Sequence, residues 1–160
     1  MVNLKEQLLM LNLKQFYSES RHIEILLPIL EGQTKLSLRA LDWFVTNYSK
    51  SYNIILDNNG KPYNVWLDYK SQLKAFSKKS FDPFCRRNRI VFEILKDKYL
   101  TTTVGQLNFF KWAIENNILT YVINNIKLIE KDMNYNKNII NINTNKKINQ
   151  NKIDVVISFN

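Results

Sequence analysis

The chain has 160 residues, 45% of them hydrophobic and 12% aromatic, which is enough to bury the core of one domain. A single cysteine, Cys85, excludes an internal disulfide framework and fits a reducing compartment, while a net charge of +9 directs attention to anionic partners. No stretch approaches the roughly 18 apolar residues of a membrane span, and Leu8 to Leu13, interrupted by Asn12 and ended by Lys14, is too short and polar for a signal peptide. The expectation is a soluble, intracellular protein with no membrane partner.

The first 60 residues carry six basic and six acidic side chains. A helix is predicted over Asn3 to Tyr17, with Leu4, Leu8, Leu11 and, less regularly, Leu9, Leu13 and Phe16 on its apolar stripe. A shorter apolar segment with Ile23, Ile25, Leu26 and Leu27 follows and ends before Pro28. Ser37 is placed to cap a helix holding Leu38, Leu41, Trp43, Phe44, Val45 and Tyr48. Asn53 to Leu56 reads as a short strand running into a turn at Asp57-Asn58-Asn59-Gly60.

Residues 61–92 then carry eight basic side chains against Asp68 and Asp82, a net +6. Trp66, Tyr69, Leu73 and Phe76 recur at helical spacing, with Lys70, Lys74 and Lys78 on another face. Asp82-Pro83 is a helix-start signal, and the helix it predicts carries Phe84, Val91, Ile94 and Leu95 inward and runs to about Tyr99. Residues 93–133 carry five charges of each sign. There Thr103-Val104-Gly105-Gln106 forms a capping box at the head of one helix, Asn116-Asn117 breaks it, and another runs from Ile118 to Met133.

From 134 to 152, 16 of 19 residues are Asn, Lys or Ile, a composition expected of a mobile linker. Residues 153–159 have strand chemistry and are expected to pair with Ile139 to Ile142 or to dock elsewhere. The fold expected is therefore mainly α, with minor strands near 53–56 and 153–159. Its divisions are a compact multi-helix domain over 1–133, a linker over 134–152 and a C-terminal strand or tail over 153–160.

No catalytic apparatus is legible, so the expectation is a protein that is not an enzyme. His22 is the single histidine and has no ligand partner at metal spacing, so neither a metal nor a cofactor is expected. Cys85 lies among arginines near the predicted helix start, which favours its thiolate, but a nucleophile needs a base and only His22 could supply the usual one. Three glycines cannot build a phosphate loop.

Clustered basic charge is the informative feature. The candidate nucleic-acid-binding set is Lys70, Lys74, Lys78, Lys79, Arg86, Arg87 and Arg89. Arginines in the first turns of a helix oppose its dipole by about 0.3–1 kcal/mol each, unless an anion binds the free N–H groups there. The alternative is that Asp82 and Glu93 pair with them. A second candidate is a helix-turn-helix through Trp112-Ala113, Asn117-Ile118, Ile123 and Ile126, with Asn117 left-handed in the turn. Thr120, Asn124 and Asn125 would then read bases, with Tyr121 and Lys127 projecting beside them. Zero net charge over 93–133 argues against it. Trp66, Tyr69 and Phe76 could stack on unpaired bases, though such a stripe is more often core.

Three stretches together, Asp42 to Tyr48, Lys70 to Lys74 continuing through Phe81 to Arg87, and Thr103 to Ala113, resemble a family of small, uncharacterised proteins encoded by large nucleocytoplasmic DNA viruses, the giant viruses. The similarity covers roughly residues 40–126 and leaves out the tail. It brings no functional residues; it implies a viral protein acting in the host cytoplasm or viral factory, or packaged in the virion. The function expected is nucleic-acid binding, architectural or regulatory, through the basic belt at 61–92, with DNA ahead of RNA. The alternative is a virion structural or adaptor protein that contacts other viral proteins.

Overall fold

In a computed structural model, residues 3–158 are described, with side chains through 143. The fold is mainly α with two small antiparallel hairpins, as composition and periodicity indicate.

Helix α1 (Leu4–Tyr17) is capped by the Asn3 side chain, which accepts from the Glu6 N–H. It is buried at Leu13 and Tyr17, whereas Leu4, Leu8 and Leu11 are 70%, 52% and 61% exposed. The regular part of the stripe therefore faces outward, while its less regular members Leu9, Leu13 and Phe16 pack toward the core. Apolar residues lie on more than one side of this helix, and spacing alone does not say which face is covered.

α2 (Ser20–Leu30) continues through Pro28 instead of stopping before it. Ser37 caps α3 (Leu38–Trp43), its Oγ accepting from the Ala40 N–H at 3.1 Å. A wide π-helical turn (Phe44–Tyr48) and α4 (Ser49–Ser51) extend α3. The first hairpin pairs β1 (Ile55–Asn58) with β2 (Lys61–Asn64) across Asn59 and Gly60, both at positive φ, the turn chemistry the sequence specifies.

α5 (Val65–Phe76) is capped by Asn64 and ends at Ser77, whose φ is 62°, so Lys78 lies beyond the helix in a 3₁₀ turn (Lys78–Ser80). The predicted helix from Asp82 to Tyr99 does not form. Residues 81–89 are turn and bend, and β3 (Ile90–Leu95) pairs with β4 (Lys98–Thr102). Asp82 does not cap a helix; its Oδ1 accepts from the Phe84 N–H in a local turn. Strand alternation wins here: Phe92 and Ile94 are buried, Val91 and Leu95 are exposed, and Asn88 and Asp97 take left-handed φ at the two ends of β3. Phe84, assigned inward, is 39% exposed.

α6 (Val104–Glu115) and α7 (Ile118–Asn124) meet at Asn117, φ 60°, and α7 ends at Asn125 where one helix to Met133 was expected. α8 (Ile126–Ser158) then runs as one helix. No linker break appears over 134–152 and no strand over 153–158; residues 159 and 160 of the expected strand or tail lie outside the described residues. A lone strand leaves its backbone groups unpaired, whereas a helix satisfies its own. The root of α8 is fixed by buried Ile129 and by Asp132, which accepts from Trp43 Nε1 at 2.9 Å and from the Tyr52 hydroxyl at 3.1 Å.

Candidate nucleic-acid interface

Apart from the short 3₁₀ turn at Lys78–Ser80, the basic segment 77–89 has no regular secondary structure to hold it, so its placement comes from what lies beneath. Phe81 is buried among Tyr69 and Phe76 of α5 and Phe109 and Trp112 of α6, with ring centroids 5.3–6.3 Å away. Tyr69 and Phe76 are thus part of this packing, not a surface stacking platform. The neighbouring backbone is tied to the start of α6. Asn108 Nδ2 donates to Ser80 O at 2.8 Å, the Asp82 N–H to Gly105 O at 3.1 Å, Gln106 Nε2 to Pro83 O at 3.0 Å and Thr103 Oγ1 to Cys85 O at 3.2 Å. Thr103 also accepts from the Gln106 N–H as the capping box requires, but the Gln106 side chain holds the loop instead of returning to Thr103. Gly105 permits the approach: a Cβ there would lie 3.0 Å from Lys79 O and 3.2 Å from Cys85 Cβ.

Lys70, Lys74, Lys78, Lys79, Arg86, Arg87 and Arg89 are all exposed. Among the described residues, none of the seven forms an ion pair, and the expected pairing of the arginines with Asp82 and Glu93 is absent. The two acids of the belt face elsewhere. Asp68 accepts from Trp112 Nε1 at 2.6 Å, and Asp82 from the Phe84 N–H at 2.9 Å. Burial, then the nearby Asp82 charge, pushes the Asp42 carboxyl up to about 6, partly offset by Lys78. Lys70 and Lys50 lie over the ring of half-buried Trp66, 5.4 and 5.1 Å from its centroid. Trp66 and Lys50 therefore join the belt's α5 end. The arginines sit on a loop, so the dipole argument for an anion at a helix start does not apply to them.

Lys79 and Arg87 come together across a cleft of about 700 Å³, which Cys85 also lines. Cys85 is half-buried, its Sγ 3.8 Å from Lys79 O and 3.6 Å from Arg87 O. Nothing in the sequence marked this cleft, because one of its walls is α1, far from the other walls in the chain.

The second candidate fares unevenly. Asn117 is left-handed as a helix-turn-helix turn requires, and Ala113 and Ile118 are buried, but Ile123, expected inward, is 51% exposed. Thr120, Asn124 and Lys127 are exposed. Asn125 is half-buried with its amide donating to Tyr121 O at 2.8 Å, and Tyr121 packs on Phe44 instead of projecting. His22 is also structural, stacked on Phe16 with Nδ1 2.7 Å from Phe16 O. Among the described residues no group of three or more His, Cys, Asp or Glu side chains could hold a metal, and no helix is long and apolar enough to cross a membrane.

The sequence profile of a family of unknown function, DUF7197, matches residues 2–157. An uncharacterized protein, L507, of Acanthamoeba polyphaga mimivirus is 41% identical over 137 residues, covering 79% of this chain and 52% of that protein. The chain thus spans about half the length of this curated relative. No solved structure matches.

Proposed function

We propose that this chain, which belongs to the DUF7197 family of unknown function, binds nucleic acid through the belt from Lys70 to Arg89 in an architectural or regulatory role. One observation carries the reading: seven exposed cations stand without ion pairs among the described residues, while Asp68 and Asp82 are engaged by an indole and a backbone N–H. Unpaired cations held on α5 and the anchored loop after it give a directional positive field, and such a field suits phosphate neutralisation. Phosphate contacts position a protein without reading sequence, so the belt supports general affinity over base discrimination. The relative is encoded by a giant virus, and action in an infected cell, in its cytoplasm or a viral factory, is part of the proposal.

Fluorescence anisotropy with labelled duplex DNA, single-stranded DNA and RNA of equal length tests this reading. Saturable binding at low salt, strongest to DNA, is expected. No binding to any of the three would overturn it and favour a virion structural or adaptor protein acting through protein contacts.

A further inference from the structure

α1 carries eight apolar residues among fourteen yet buries only Leu13 and Tyr17 fully, which leaves a face with Leu4, Leu8 and Leu11 exposed that folding does not use. Part of that face forms one wall of the 700 Å³ cleft; the other walls are residues 79–90 and the start of α6. This volume falls in the range of about 300–1,000 Å³ typical of small-molecule sites. Leu9, Met10, Leu11, Ile90 and Val104 supply the apolar lining. The charged residues lining it are Lys14, Lys79 and Arg87 against Glu6, a net +2. The first N–H groups of α6, at Val104 and Gly105, also lie on this wall and have no partner within their own helix.

We propose that the cleft binds a single-chain amphiphilic anion, its alkyl tail along Leu9, Leu11, Ile90 and Val104 and its carboxylate or phosphate head at Lys14, Lys79 and Arg87. Charge decides between this occupant and a second copy of the chain. A two-fold contact through this cleft would set the same net-positive rim against itself, whereas an anionic head neutralises it. A tail alone accounts for the apolar lining but not for three cations around it, and an inorganic anion leaves the lining bare.

Cys85, the chain's single cysteine, lines the cleft beside Lys79 and Arg87 and reports directly on occupancy. The rate of its alkylation by iodoacetamide is measured on the full chain with tetradecanoate, tetradecyl phosphate, tetradecanol or hexanoate below their aggregation thresholds. One or both long-chain anions should slow alkylation at least tenfold and saturably, with tetradecanol and hexanoate far weaker. Leu11→Glu changes an exposed residue outside the belt, so the fold and DNA affinity should persist while protection is lost. Lys79→Gln with Arg87→Gln should raise the half-protecting concentration about tenfold. Equal protection by tetradecanol, protection that survives Leu11→Glu, or none from either anion would overturn the proposal. So would ligand-free self-association that shields Cys85, which would assign the cleft to a second copy. Loss of DNA binding with Cys85 protection intact would instead count against the nucleic-acid reading alone.

Discussion

Gly105 sets how near α6 comes to the basic segment. An alanine Cβ there would press on the Lys79 carbonyl at 3.0 Å, a backbone atom that cannot swing aside. Such overpacking costs about 1–3 kcal/mol, while alanine's better helix propensity returns up to about 1 kcal/mol. Gly105→Ala should therefore lower the urea midpoint, and an unchanged midpoint would show that the segment yields freely. Asp42 makes a prediction about pH. Its folded carboxyl titrates at about 6 because burial, then Asp82, disfavour the charge, against an ordinary value of 3.8. The folded state thus holds a proton that the unfolded chain releases, and the ionised group lowers stability as pH rises from about 4 to 6. Asp42→Asn should raise the thermal midpoint at pH 7.5, with the gain fading as pH falls toward 4. A gain independent of pH would point to another cause.

At the scale of elements, belt and hairpin make separable demands. Arg86→Gln with Arg87→Gln removes exposed charge from the loop, and binding should weaken alike for every DNA sequence, with the salt slope falling by about one per lost contact. Asn124→Ala, on α7, should change discrimination between sequences by roughly 1–3 kcal/mol only if α7 reads bases; the belt account expects no change. The segment 81–99 also shows where local signals mislead. Asp82-Pro83 is an ordinary helix start, but its carboxylate closes a local turn, and the inward alternation of Ile90, Phe92 and Ile94 decides the structure after it. Ser37, Thr103, Asn117 and the Asn59-Gly60 turn were legible because each satisfies its requirement within a few residues. The outward face of α1 and the ties from α6 to residues 80–85 were not, since both depend on segments distant in sequence. Beyond the Ile129 and Asp132 anchors, α8 side chains at 137–143 are exposed, so truncation after residue 143 should leave the thermal midpoint nearly unchanged. A large drop would mean that the end of α8 packs.

For the whole molecule, the distribution of charge carries more than its total. The +9 divides into a +6 belt at 61–92, near-neutral flanks and a +3 tail at 134–160, and the aromatic cluster around Phe81 holds the belt's loop against α5 and α6. A field arranged this way acts on a polyanion chiefly by displacing its counterions. The most direct test is the affinity for duplex DNA measured across salt concentrations from about 50 to 300 mM. If the belt neutralises about four to six phosphates, log K should fall linearly against log salt with a slope of about −3.5 to −5.5. Undetectable binding at low salt, or an affinity indifferent to salt, would contradict the account.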